Sequence, residues 1–162
     1  MSEAYNNKLS QDEKQAVQKE LKRFESRRSA VLPALYIVQK DRGWISEDLV
    51  EELSKEMEIP SSDILEVRNF YTMFNQKPVG KLHVQVCTNI SCSMNGGREL
   101  TRHICEKYNV GLEEVSSCGK VSVSQVECLG ACDKAPMMQV NDKYHEDLTK
   151  ESAIEILERV EL

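Results

Sequence analysis

Four of the six cysteines in this 162-residue chain form two closely spaced pairs. Cys87 and Cys92 enclose four residues in CTNISC, and Cys128 and Cys132 enclose three in CLGAC. Four thiols on two such hooks can bind a zinc ion or an iron–sulfur cluster. The C-x2-C spacing of common zinc hooks and dithiol redox motifs is absent, and Asn95 interrupts the plant-type ferredoxin run C-x4-C-x2-C. The spacing favours iron–sulfur and leaves zinc open.

Small residues fill both hooks. Thr88, Asn89 and Ser91 lie in the first, and Gly130 and Ala131 lie in the second. Such residues let backbone N–H groups approach and stabilise the sulfur atoms of a cluster. Gly130 can also adopt a positive φ that other residues resist. Two hooks on separate loops suit a two-iron cluster with one pair of thiols on each iron.

Composition narrows the class of protein. The 21 basic and 27 acidic side chains give a net charge of −6, which argues against a nucleic-acid partner held by a basic surface. No apolar run is long enough to span a bilayer, so we expect no direct membrane insertion. The polar N-terminal residues do not resemble a secretory signal, so we expect a cytoplasmic protein. Cytoplasmic thiols stay reduced, and paired cysteines there indicate metal or redox chemistry.

The remaining cysteines and the histidines do not extend this pattern. Cys105 neighbours Ile104 on a predicted helix and is expected to be buried as a small hydrophobe. Cys118 lies in a Ser-Ser-Cys-Gly turn and is expected to be exposed, as a bystander, a regulatory thiol or a fortuitous fifth ligand. His83, His103 and His145 have no metal-ligand spacing to one another, so we expect structural or solvated side chains.

The elements that carry these residues follow from periodicity. Up to about residue 75, apolar residues recur every three or four positions and predict four helices. Ser10 and Glu13 form a capping box for the first helix, Ser29 and Ser46 are expected to cap the next two, and Pro60 precedes the fourth. The expected inward residues are Val17, Leu21 and Phe24; Val31, Leu32, Leu35 and Val38; Leu49, Val50, Leu53 and Met57; and Ile64, Val67 and Phe70.

From residue 81 the period changes to that of strands. The stretches 81–87 and 120–128 alternate apolar and polar residues and end at or beside a cysteine, with an expected bulge or late strand start near Val126. Residues 97–108 read as a helix, and 137–140 and 143–148 as short strands. Thr149 is expected to cap a last helix with Ile154, Leu157 and Val160 inward. The order β-α-β-β-β-α is typical of helices packed on a sheet.

Several motifs together resemble one family. VECLGACDKAPMMQV at 126–140, with YHEDL at 144–148 and CTNISC upstream, is similar to the thioredoxin-like [2Fe-2S] subunit of NADH:quinone oxidoreductase (respiratory complex I), the NuoE family. RGWIS at 42–46 and FYTMF at 70–74 match the same family. The resemblance implies an α/β (α+β) chain with a helical bundle over 1–75 and a thioredoxin-like [2Fe-2S] ferredoxin domain over 76–162.

The family's ligands correspond to Cys87, Cys92, Cys128 and Cys132. The resemblance implies one [2Fe-2S] cluster in an electron-transfer subunit that exchanges single electrons with the FMN of a partner flavoprotein. That partner, not this chain, would bind NADH. No catalytic residues and no autonomous substrate site are expected. The subunit would lie on the cytoplasmic side of the membrane through its complex, in which the other peripheral-arm subunits are further partners. The same analogy raises the expectation of a cis bond at Ala135-Pro136.

Other functions remain open from the residues. The equivalent diaphorase subunit of an NAD-reducing hydrogenase or a formate dehydrogenase would share the cluster and the scaffold. A free-standing ferredoxin would have no evident need for the helical half. A zinc-stabilised interaction module would use the same thiols. The helical half, residues 1–75, carries no cluster ligand but contains several aromatic residues. We therefore expect that this half docks the flavoprotein partner.

Overall fold

The computed structural model describes residues 7–160. The chain divides into two compact units, one up to Pro78 and one from Val79. The first unit consists of α1 (Gln11–Leu21), a 3₁₀ turn (Arg28–Ala30), α2 (Val31–Arg42), α3 (Glu47–Met57) and α4 (Ser61–Phe70).

Local side-chain chemistry starts two of these helices as predicted. The Ser10 hydroxyl accepts the N–H of Glu13, and the Glu13 carboxylate accepts the N–H of Ser10, which completes the capping box. Ser46 accepts the N–H of Leu49. The expectation for Ser29 is wrong: Ala30 is the N-cap residue of α2, and the Ser29 hydroxyl bonds that of Ser26 instead. The 3₁₀ turn before α2 takes the place of a side-chain cap.

The core of the first unit is formed by the predicted apolar faces of α1 to α4. Its buried members include Val17, Leu35, Val38, Leu53 and Ile64. Two residues that were predicted to face inward do not belong to this core.

Phe24 is 38% exposed and Phe70 is 77% exposed. Helix α1 ends at Leu21, before its apolar stripe would reach Phe24. Phe70 is the last residue of α4, and the chain turns to an extended conformation at Tyr71. Periodicity predicts which face a residue shares but not how far the core extends along that face.

The second unit is a mixed sheet with helices packed on it. Its elements are β1 (Leu82–Cys87), α5 (Ile90–Met94), α6 (Gly97–Tyr108), β2 (Val121–Val126), a 3₁₀ turn (Cys132–Lys134), β3 (Met138–Val140), β4 (Lys143–His145) and α7 (Lys150–Val160). The strand order is β2-β1-β3-β4. β1 pairs parallel to β2 and antiparallel to β3, and β3 pairs antiparallel to β4. The α/β fold class is confirmed, with helices and a mixed sheet in one chain.

The core of this unit lies between the sheet and the two long helices. Ile104 of α6 and Leu157 of α7 are fully buried with Val84 and Val123 of the sheet. The Thr149 hydroxyl accepts the N–H of Ser152 and caps α7 as predicted. Val160 was expected inward but is 45% exposed, since it lies in the last turn of the helix beyond the sheet. Ala153 is buried on the inner face instead.

The parallel pair β1–β2 positions the cysteines. Its register is unbroken from Leu82↔Val121 to Cys87↔Val126, so the expectation of a bulge or a late strand start near Val126 is wrong. Both strands end at the same edge of the sheet, where connecting segments usually carry functional residues. The peptide bond between Ala135 and Pro136, just before β3, is cis. No helix within residues 7–160 combines the length and the apolar character that crossing a membrane requires.

Candidate metal centre

The edge where β1 and β2 end brings both cysteine hooks together. Cys87 is the last residue of β1, and Cys92 lies in the short helix α5 that follows. Cys128 comes two residues after the end of β2, and Cys132 begins the 3₁₀ turn. Because the two strands are parallel neighbours, segments more than 30 residues apart in sequence meet at one place.

Hydrogen bonds join the two hooks. The Asn89 side chain accepts the N–H of Ile90 at 2.8 Å, which starts α5, and donates to the Glu127 carboxylate at 2.7 Å. The Ser91 hydroxyl donates to the carbonyl oxygen of Cys132 at 2.8 Å. These last two bonds run between the hooks, so each hook restrains the position of the other. Sequence reasoning singled out Asn89 and Ser91 only as small residues, and no local signal marks Glu127, which is 38 positions from Asn89.

The first pair of thiols is buried. Cys87 and Cys92 are each 2% exposed and pack against Met137. Burial raises the pKa of Cys92 to about 11; the hydrogen bond with the Cys87 thiol adds to the rise, and the backbone N–H of Met137 opposes it. A buried thiolate is costly without a compensating positive charge, so burial favours the protonated form of Cys92 unless a cation binds. Met137 was not predicted as part of the site.

The second pair of thiols is exposed. The sulfur atoms of Cys128 and Cys132 are 3.4 Å apart. Gly130 has a φ of 86°, as expected, and its N–H points at the Cys128 sulfur at 3.4 Å. This N–H and the Cys132 thiol lower the pKa of Cys128, and the same thiol–thiol bond raises the pKa of Cys132. Of the two thiols, Cys128 is therefore the one that loses its proton more readily.

The four sulfurs stand as two pairs. Cys132 lies close enough to Cys87 and Cys92 for charges on these thiols to repel one another. Within residues 7–160, however, no three potential ligands surround a single point as one tetrahedral ion would require. A two-iron cluster needs two thiolates on each iron. The donor chemistry, the two-and-two arrangement and the N–H groups directed at Cys92 and Cys128 fit such a cluster.

The other thiols and histidines do not join this group. Cys105 lies in α6, where burial raises its pKa, and Cys118 is exposed beside Ser116 at 3.4 Å. His83 bonds the Ser122 hydroxyl at 2.9 Å, and burial lowers its pKa. His145 is in β4 and His103 is in α6.

Comparison with known proteins agrees with this geometry. The family model for the thioredoxin-like [2Fe-2S] ferredoxin matches residues 17–161. The chain belongs to this family. A protein of Rickettsia bellii, named as a subunit of NADH-quinone oxidoreductase, is 42% identical over 137 residues, covering 84% of this chain and 82% of its own. A subunit of the same name from Rhizobium meliloti is 39% identical over 126 residues, covering 78% and 75%.

A solved structure shares the fold of this family member. The crystal structure of an NAD⁺-reducing [NiFe]-hydrogenase in the H₂-reduced state matches with a TM-score of 0.69 at 21% identity. The match covers 81% of this chain but only 22% of the hydrogenase chain. At that identity, the likeness concerns the fold alone. The recognition of a NuoE-type protein from its motifs is confirmed by the family model and by the named relatives.

Proposed function

We propose that this chain is an electron-transfer subunit that binds one [2Fe-2S] cluster through Cys87, Cys92, Cys128 and Cys132. The observation that carries the proposal is the meeting of two thiol pairs at the end of one parallel strand pair, with an N–H group on a sulfur of each pair. Membership of a [2Fe-2S] ferredoxin family supports the identity of the cluster.

The chain's residues bind and restrain the cluster, which supplies the capacity to accept and release one electron. Cys87 and Cys92, buried beside Met137, would supply two of the ligands in a water-poor environment. Cys128 and Cys132 hold the other side near solvent. The hydrogen bonds between the hooks keep the two sides in register, so that little rearrangement accompanies a change in charge.

The proposed partner is a flavoprotein subunit that carries FMN and the NADH site. NADH delivers two electrons as a hydride, and a flavin can pass them on one at a time. This chain would take a single electron and would need no nucleotide site of its own. The names of the curated relatives support an NADH:quinone oxidoreductase assembly. The proposed place of that assembly is the cytoplasmic face of the membrane. The second candidate is the equivalent diaphorase subunit of an NAD-reducing hydrogenase or a formate dehydrogenase, which would use the same cluster and scaffold.

The helical unit is the proposed docking surface for the flavoprotein. Phe70 stacks edge-to-face on Tyr71, and Tyr71 and Tyr36 contact the buried Phe74, with ring centroids between 5.1 and 6.5 Å apart. Phe70, Tyr71 and Tyr36 are exposed, and Phe74 anchors them. Rigid aromatic side chains are enriched in the cores of protein interfaces.

Phe70→Ser should reduce co-purification of the flavoprotein. Tyr144→Ser, which replaces an exposed aromatic of the other unit, serves as the matched control and should not. Equal losses in both variants would place the docking surface elsewhere.

Cysteine replacement tests the ligand assignment. Alanine at position 87, 92, 128 or 132 removes one of four ligands, so each variant should lose the cluster or hold it weakly. Cys105→Ala and Cys118→Ala are the matched controls and should keep the iron content of the wild type. An intact cluster in Cys92→Ala together with a lost cluster in Cys105→Ala would mean that the quartet is wrong.

The electron-transfer role has a separate test. Dithionite should bleach the visible absorption of the isolated chain, whereas NADH alone should leave it unchanged. Addition of a catalytic amount of the flavoprotein should then permit reduction by NADH. Rapid reduction of the isolated chain by NADH would contradict the proposed division of labour.

A further inference from the structure

We propose that the buried guanidinium of Arg68 receives a carboxylate of the flavoprotein when the helical unit docks. The inference rests on the proposed docking role of that unit, and it adds the charged contact by which the partner would be recognised. Its basis is a buried arginine for which the described part of the chain supplies no carboxylate.

Arg68 occupies a core position at the end of α4. It lies one turn after Ile64, and these two are the buried residues of that helix. Arg68 is only 6% exposed, whereas arginine is almost never buried to this extent unless it is paired. A charge that leaves water without meeting an opposite charge costs free energy. Burial accordingly lowers the pKa of Arg68, and the Glu47 carboxylate opposes that shift.

The protein satisfies only part of the guanidinium. Nε donates to the side-chain oxygen of Asn69, and Nη1 donates to the carbonyl oxygen of Ile45, both at 3.2 Å. No carboxylate within residues 7–160 forms an ion pair with Arg68, and that of Glu47 belongs to an exposed residue. Nη2 has no acceptor in the same part of the chain and is not fully enclosed by protein. Because arginine binds a carboxylate through two parallel N–H bonds, a partner's carboxylate could bind at this open end.

This arginine lies at the base of the proposed docking surface. Residues 69–73 carry exposed aromatic rings and lie between buried Arg68 and buried Phe74. Both ends of this segment are fastened to Ile45, whose carbonyl oxygen accepts Nη1 of Arg68 and whose N–H donates to the Asn75 carbonyl oxygen at 2.8 Å. The guanidinium is therefore close to the exposed rings, and a protein that covers them would also cover Nη2.

A purely structural role for Arg68 explains less. The Ile45 carbonyl oxygen needs only one N–H donor, which a neutral side chain could supply without the cost of burying a charge. The end of α4 favours a cation through the helix dipole, but a cation there could remain in water. Neither role uses the donors on Nη2, whereas a carboxylate from the partner accounts for both the charge and the open end.

NMR of the wild-type protein with isotope-labelled arginine tests the contact directly. Arg68→Lys identifies the Arg68 signals by their absence. When the purified flavoprotein subunit is added, the Nη N–H signals of Arg68 should move downfield and exchange more slowly with water, because a carboxylate then accepts them. Unchanged signals in the complex would overturn the proposal. Slow exchange that grows with the concentration of the chain alone would also overturn it, since a second copy would then supply the carboxylate.

Arg68→Met separates docking from folding. Methionine keeps a packed side chain and removes the buried charge, so the urea midpoint of the free chain should stay close to that of wild type. The dissociation constant for the flavoprotein should rise about tenfold or more, mainly through faster dissociation. Unchanged binding would overturn the proposal, whatever the midpoint.

Glu47→Gln is the matched control. It removes the carboxylate that influences Arg68 from within the chain, and it should not weaken binding of the flavoprotein. A loss equal to that of Arg68→Met would show that Arg68 acts through Glu47, against the proposal.

Phe70→Ser distinguishes failure of this inference from failure of the proposed function. If Phe70→Ser weakens binding and Arg68→Met does not, the docking surface stands and the role of Arg68 is refuted. If neither variant weakens binding, the proposed docking surface is itself refuted, and the inference fails with it.

Discussion

The Ser91 hydroxyl provides a sharp test of how the two hooks are held together. It donates to the Cys132 carbonyl oxygen at 2.8 Å and so links the hook of one cysteine pair to that of the other. Ser91→Ala removes this bond and leaves the carbonyl free to accept water. A neutral hydrogen bond contributes about 0.5–1.5 kcal/mol, and an exposed one falls in the lower part of that range. A loss of about 0.5–1 kcal/mol corresponds to a factor of roughly 2–5 in an equilibrium constant.

The assay is iron release from the loaded protein to a ferrous chelator under anaerobic reducing conditions. Release requires the hooks to separate, so Ser91→Ala should raise the rate about two- to fivefold. Ser93→Ala is the matched control, because the Ser93 hydroxyl donates to the Thr88 carbonyl at 2.7 Å and accepts from Arg98 at 3.1 Å, neither of which belongs to the second hook. Its rate should stay within about twofold of wild type. A Ser93→Ala effect equal to or larger than that of Ser91→Ala would refute the cross-linking role.

Three further results are expected. Burial alone would raise the pKa of Glu13, but its hydrogen bonds with Arg42 and Ser10 outweigh burial and lower the pKa. Glu13→Gln should therefore destabilise the protein by about 1.5–3 kcal/mol at pH 7 in urea unfolding. This difference should shrink as acid protonates the wild-type carboxylate, and an equal difference at pH 3 would contradict the lowered pKa. Ser116 and the Lys120 N–H lower the pKa of exposed Cys118, whereas burial raises the pKa of Cys105. Mass spectrometry should therefore find that iodoacetamide alkylates Cys118 before Cys105, and the opposite order would contradict these pKa directions. Leu157→Ala should lower the free energy of unfolding by about 2–5 kcal/mol in the same assay. Val160→Ala, at an exposed position of the same helix, should change it by less than about 0.5 kcal/mol. Similar losses in both variants would show that Val160 belongs to the core.

Features set by neighbouring residues were predictable from the sequence. Ser10, Ser46 and Thr149 cap their helices because each hydroxyl reaches an N–H a few residues along the chain. The two long strands followed from their alternation. The failures at Ser29, Phe24, Phe70 and Val160 share another cause: each depends on where a helix starts or where the core ends, which only tertiary packing determines.

The sequence predicted the four cysteines of the candidate site but not the contacts around them. Spacing alone left zinc and iron–sulfur both open, and the ECLGAC…AP motif indicated the family that the comparisons confirm. The contact between Asn89 and Glu127 joins residues 38 positions apart and has no local signature. The unequal burial of the two thiol pairs was also hidden, because both pairs follow strands of similar pattern. It arises from the packing of Met137 and α6 against Cys87 and Cys92.

Metal and sulfide analysis of the anaerobically purified wild-type protein tests the central claim most directly. The [2Fe-2S] assignment predicts two irons and two acid-labile sulfides per chain, and one unpaired electron in the paramagnetic resonance signal after dithionite reduction. Zinc with no iron would contradict it, since Cys87, Cys92, Cys128 and Cys132 would then form a structural site that carries no electron.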